Sequence, residues 1–185
     1  MKDYTEYACT KLKELTAIDS PDGFTKEVIA YTKKELKDLG FEPEVTNKGC
    51  IVCTLGGKGR PIVLSAHIDT LGAEIAEIKA DGHLRLTPIG GLPASVVETE
   101  NCRVYTRSGK AFEGTFQLVN ASLHVNGDLT KTIRSFDNME VLLDEKNIPQ
   151  WEHLNHQPVP LEWEENPLGK CLIFRHVTGC LNVAW

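Results

Sequence analysis

Pro61-Ile-Val-Leu-Ser-Ala-His67-Ile-Asp69-Thr70 is the stretch that decides how this 185-residue chain is read. An apolar run follows the turn-forming Gly56-Gly57-Lys58-Gly59, which predicts a buried strand over Pro61–Ala66. The run leads straight into His-x-Asp. In open α/β sheets ligands bind at the carboxyl ends of strands. Side chains two positions apart in extended chain point to the same side, so His67 and Asp69 are expected to face one pocket. A neutral imidazole is a good zinc ligand, and a nearby carboxylate can bind metal or orient the ring. Taken on spacing alone, the pair also reads as an ordinary hydrogen-bonded His and Asp at a strand end.

Upstream, Tyr4, Ala8, Leu12 and Leu15 recur at helical spacing and predict a helix over residues 3–18. Ser20-Pro21-Asp22-Gly23 breaks it. A second helix is expected from Phe24 to Leu39, with Gly40 as its stop. Strands are expected at Phe41–Thr46 and Cys50–Leu55, ahead of Pro61–Ala66. Two helices and about three strands over residues 1–71 predict part of an α/β layer. Residues 72–146 have a different texture. Asp81-Gly82 joins strand candidates Ala73–Ala80 and His83–Pro88, and Arg107-Ser108-Gly109-Lys110 joins Cys102–Thr106 and Ala111–Gln117. With Ala121–Val125 and Met139–Leu143, these predict a small β-barrel or sandwich. Residues 147–185 form a third, irregular segment. It holds all three tryptophans and three of the six histidines, and offers one strand candidate, Lys170–Val177.

Composition narrows the function classes. Hydrophobic residues are 41% and charged residues 25% of the chain, an ordinary globular balance. Net charge is −6 and no Lys/Arg stripe occurs, which argues against nucleic acid and anionic membrane as partners. The apolar runs are too short to span a bilayer. Met-Lys-Asp-Tyr-Thr-Glu at the amino terminus does not read as a signal peptide, so the six cysteines are expected to be reduced thiols in the cytoplasm. Cys50-Ile-Val-Cys53 has redox or zinc spelling, but inside a strand its two thiols point to opposite faces and read as buried side chains. His83 reads as a surface residue beside a turn, and His124 as lying on the polar face of a strand.

Seven motifs in order carry a family resemblance. They are Ala17-Ile-Asp-Ser-Pro-Asp-Gly-Phe24, Leu39-Gly-Phe41, Thr54-Leu-Gly-Gly57, Leu64-Ser-Ala-His-Ile-Asp-Thr-Leu-Gly72, Leu86-Thr-Pro-Ile-Gly-Gly91, Glu100-Asn-Cys102 and Asp137-Asn-Met-Glu-Val141. Together they resemble the dinuclear-metal aminopeptidases that include glutamyl and deblocking aminopeptidases and the tetrahedral TET particles. The resemblance runs from near residue 5 to about Lys146. It implies a zinc-peptidase α/β domain interrupted by a β-domain insert that helps build homo-oligomers, with peptides as substrate. By position it implies His67 as first metal ligand, and Asp69 as the carboxylate that orients it or bridges two ions. The implied cofactor is a divalent metal, zinc or cobalt. A metal-bound water would attack the peptide carbonyl, with a glutamate as general base.

The family's remaining ligands lie well beyond the insert, where this chain has a non-matching tail. One histidine and one carboxylate cannot hold two ions, since even one catalytic zinc normally takes three protein ligands. Glu164-Glu165 reads as a solvated acidic loop. His153-x-x-His156 and Cys171-x4-His176-x3-Cys180 suit no common zinc motif closely. Three readings therefore stand: a metal-dependent aminopeptidase, a truncated non-catalytic assembly protein of the same family, and a zinc module in the tail.

Overall fold

A computed structural model describes residues 4–106, 109–143 and 171–174. They divide into two compact units, one ending at Thr70 and one beginning at Leu71. The tail motifs Glu164-Glu165 and His153-x-x-His156, and the His176 and Cys180 of the other tail motif, lie outside the described residues.

The first unit contains helices α1 (Tyr4–Thr16) and α2 (Lys26–Asp38) and a two-stranded ribbon of β1 (Glu44–Val45) and β2 (Ile51–Val52). Between the helices, Gly23 takes φ 82°, and its N–H is held by Asp22 Oδ1 at 3.0 Å. α2 ends in a Schellman motif: Gly40, at φ 87°, donates to Lys37 O at 2.8 Å, and Phe41 donates to Leu36 O at 3.0 Å. α1 buries no residue and α2 buries only Val28. Polar groups join the two helices instead. Lys11 Nζ lies 2.7 Å from both Glu14 and Glu35, and the Tyr31 hydroxyl donates to Glu14.

The strand expected at Pro61–Ala66 does not form. Ile62, Val63 and Leu64 are 84%, 87% and 87% exposed, and the run enters no strand ladder among the described residues. Apolar side chains become a buried strand only when a neighbour pairs the backbone and a layer covers the face. The described residues supply neither. Cys50 is exposed and Cys53 half-buried, so this pair is not the buried one its pattern suggested.

The second unit is a closed antiparallel barrel. Its strands are β3 (Gly72–Ile78), β4 (Leu84–Ile89), β5 (Asn101–Tyr105), β6 (Ala111–Leu118), β7 (Met139–Leu143) and β8 (Cys171–Phe174), in the order β3-β4-β7-β6-β5-β8. The strand candidate in the tail is thus β8, which closes the ring between β3 and β5. Alternation fills the interior: Leu84 and Leu86, Cys102 and Val104, Phe116 and Leu118 point inward. A bulge in β3 between Ile75 and Glu77 shifts that alternation by one residue, so both Ile75 and Ile78 pack on the core. Gly114 is required by β7, because a Cβ there would stand 2.4 Å from Leu142 O.

Ala121–Val125 forms turns rather than a strand. The Val125 and Asn126 amides both donate to Ser122 O, and the Asn126 side chain donates to Asn120 O at 2.8 Å, closing the segment on itself. His124 is therefore exposed in a turn. His83 is half-buried, not a free surface residue: its Nδ1 lies 3.0 Å from Glu140 Oε1, while Lys79 Nζ lies 2.6 Å from Oε2. Glu140 is almost wholly buried, and these two contacts tie the β3–β4 hairpin to β7, where backbone register is a single pair, Leu84↔Val141.

Candidate active site

The His67–Asp69 segment has no strand of its own, yet it is held. Ser20 is fully buried, and its Oγ donates to Ile68 O at 3.1 Å. Thr70 donates its N–H to Ser20 O at 2.9 Å, and the Ser20 N–H donates to Thr70 Oγ1 at 3.2 Å. A parallel bridge joins Pro21 to Thr70. The Ser-Pro break between the helices therefore doubles as a clamp on the residues around His67. Sequence pattern showed only its helix-breaking role, because the partner lies about fifty positions away.

Within this clamped segment His67 Nδ1 comes 3.2 Å from Asp69 Oδ1. The side chains are 38% and 48% exposed, but Nδ1 itself is shut off from solvent and has no aligned hydrogen-bond partner. The contact is within ion-pair distance, yet its angle is too poor for a hydrogen bond. A carboxylate on one ring nitrogen fixes the ring and leaves Nε2 available as a ligand. An orphaned buried nitrogen beside a carboxylate suits a ligand-orienting pair. The number of donors does not suit a complete centre: among the described residues no group of three His, Cys, Asp or Glu side chains could hold an ion. A catalytic zinc takes three protein ligands, and this segment offers two candidate donors.

Residues 49–153, more than half of the chain, match the M42 glutamyl aminopeptidase family. The chain belongs to that family, as its ordered motifs indicated. The candidate aminopeptidase YhfE of Bacillus subtilis strain 168 is 44% identical over 136 residues, which cover 72% of this chain and 39% of YhfE. The TET aminopeptidase of a marine-sediment thaumarchaeon shares the fold with a TM-score of 0.72 at 21% identity, over 93% of this chain and 45% of its own. The TET1 peptidase of Pyrococcus horikoshii, which can assemble into a tetrahedron or a large octahedral shell, gives 0.67 at 22% identity, over 90% and 46%. The chain thus spans less than half the length of these relatives. Among the described residues no helix is long and apolar enough to cross a membrane.

Proposed function

We propose that this chain carries part of the centre of a metal-dependent aminopeptidase that hydrolyses amino-terminal peptide bonds. His67 is the metal ligand through Nε2, and Asp69 orients it. The observation that carries this reading is the 3.2 Å approach of the two side chains on a segment clamped by Ser20 and Thr70. Membership of the M42 family supports it. A bound zinc or cobalt ion would polarise the peptide carbonyl and supply a nucleophile at neutral pH. The chain's own part is to hold the imidazole at fixed orientation. The barrel, with residues 72–146 as its main body, serves homo-oligomerisation. The Pyrococcus shells support this role. A cytoplasmic setting suits the free thiols of Cys9, Cys50, Cys53 and Cys102.

A second reading is a non-catalytic assembly component of the same family, favoured by the two-donor count among the described residues. An assay on amino-acid anilides with added cobalt or zinc separates the two. Hydrolysis that His67→Ala abolishes supports the first. No hydrolysis and no bound ion, from a stable oligomer, overturns it in favour of the second.

A further inference from the structure

The connection between β6 and β7 closes on one side chain. Asn126 is half-buried and holds a backbone group with each end of its amide: Nδ2 donates to Asn120 O at 2.8 Å, and the Asp128 N–H donates to Oδ1 at 3.1 Å. Its own N–H donates to Ser122 O at 2.8 Å, beside the Val125 N–H at 3.2 Å. The later part of the connection is fastened separately. The Lys131 and Thr132 amides donate to Asp128 O, each at 2.9 Å, and Arg134 binds Leu129 O, Thr132 O and Glu98. An asparagine amide offers both a donor and an acceptor, whereas an aspartate of the same shape offers no donor. The next residue, Gly127, is exposed, and a Cβ built there would meet nothing within 4 Å. Asparagine is chemically labile, and a following glycine puts no side chain in the way of its amide.

We propose that Asn126 is a self-modification site whose conversion opens residues 120–126 one way. The Gly127 nitrogen gives up its proton to hydroxide and attacks Asn126 Cγ. The N–Cγ bond forms, the Cγ–Nδ2 bond breaks, and ammonia takes up a proton from water and leaves a cyclic imide. Water then opens the ring. Attack at the side-chain carbonyl leaves aspartate, and attack at the main-chain carbonyl leaves isoaspartate, with the chain running through Cγ. Water supplies the oxygen that replaces the lost nitrogen, and nothing is oxidised or reduced. The closed loop opposes this chemistry, because Nδ2 has to release Asn120 O before it can depart. Conversion therefore waits on local opening. Opening is reversible while the amide is intact. Afterwards an acceptor-only carboxylate faces the Asn120 carbonyl, and the bond that closed the loop cannot be remade. The turns fastened by Asp128 O and Arg134 do not depend on that bond. The site is separate from His67 and goes beyond the aminopeptidase reading.

The test incubates the 185-residue chain at mildly alkaline pH, folded and in guanidinium chloride. Conversion at residue 126 is read by peptide mass and by isoaspartate-specific methylation. The folded chain is expected to convert, but more slowly than the unfolded one by roughly ten- to a hundredfold, as one or two hydrogen bonds must open first. Gly127→Ala, at a position with room for the methyl group, is expected to slow conversion by roughly tenfold or more. Asn126→Asp reproduces one product. It is expected to speed exchange of the Val125 amide by roughly tenfold while the Lys131, Thr132 and Phe116 amides keep their rates. Equal rates in the folded and unfolded chain, or no conversion of the folded chain, overturns the proposal. So does conversion indifferent to Gly127→Ala, or Val125 exchange unchanged by Asn126→Asp.

Discussion

Ser20 shows how much one buried hydroxyl can organise. It is fully buried, and it holds the Ile68 carbonyl one residue from each member of the His67–Asp69 pair. Ser20→Ala leaves that carbonyl without its donor, at an expected cost of about 1–2 kcal/mol. The change should appear as lower stability of the first unit and as faster exchange of the Thr70 amide, which donates to Ser20 O. Thr70 exchange at the parent rate would show that the parallel bridge needs no help from the hydroxyl. At this scale the sequence was readable wherever geometry depends on neighbours along the chain. His67 and Asp69 come within 3.2 Å of each other, although the strand whose alternation was expected to bring them together is absent. The Ser20 clamp and the contact of His83 with Glu140 were not legible, because their partners stand 48 and 57 positions apart. Nothing local in Ser-Pro-Asp-Gly separates a clamp from a plain turn.

The helices and most barrel strands follow from pattern and turn chemistry, since period, Gly stops and Asp-Gly turns act locally. Two strand expectations failed, each for a physical reason. Pro61–Ala66 has the side chains of a buried strand, but burial is a property of surroundings that pattern cannot supply. Ala121–Val125 alternates correctly, but the Val125 and Asn126 amides both donate to Ser122 O and the Asn126 side chain donates to Asn120 O, which closes the segment into turns. The α1–α2 contact gives a prediction of its own, because charge rather than apolar burial joins the helices. Glu14 and Glu35 raise the Lys11 ammonium well above its ordinary 10.5, and Lys11 and then Tyr31 hold Glu14 below 4.5. Tyr31 is raised above 10.0, chiefly by its bond to Glu14. Groups raised on folding stabilise below their unfolded values and lose that effect as pH rises through the folded ones. Glu14, being lowered, stabilises above 4.5 and loses that effect as pH falls. The contact should therefore be firmest between about pH 5 and 9 and loosen on both sides. Amide-exchange protection along α1, corrected at each pH for the intrinsic exchange rate, should show a maximum across that range that salt makes shallower. A flat profile would mean that these charges do not anchor α1.

The two units differ sharply in how they are held. Among the described residues the buried apolar side chains outside the barrel cluster are Val28 and two prolines, Pro21 and Pro43, whereas the cluster includes Phe116, Met139, Leu84 and Val141. Each large side chain so buried contributes about 1.5–3 kcal/mol, and the first unit has almost none. The barrel should therefore keep its slow-exchanging amides, Phe116 among them, at denaturant concentrations that release those of α1 and α2. Equal protection in both units would refute this. The Ser20–Thr70 link also has a kinetic consequence. Closing a loop of about fifty residues costs roughly 3–4 kcal/mol of chain entropy before any contact repays it. On an emerging polypeptide, the helices can wind while the imidazole–carboxylate pair is still unsynthesised. Its geometry can lock only after translation has passed Thr70, so the His67–Asp69 corner matures later than the helices that precede it.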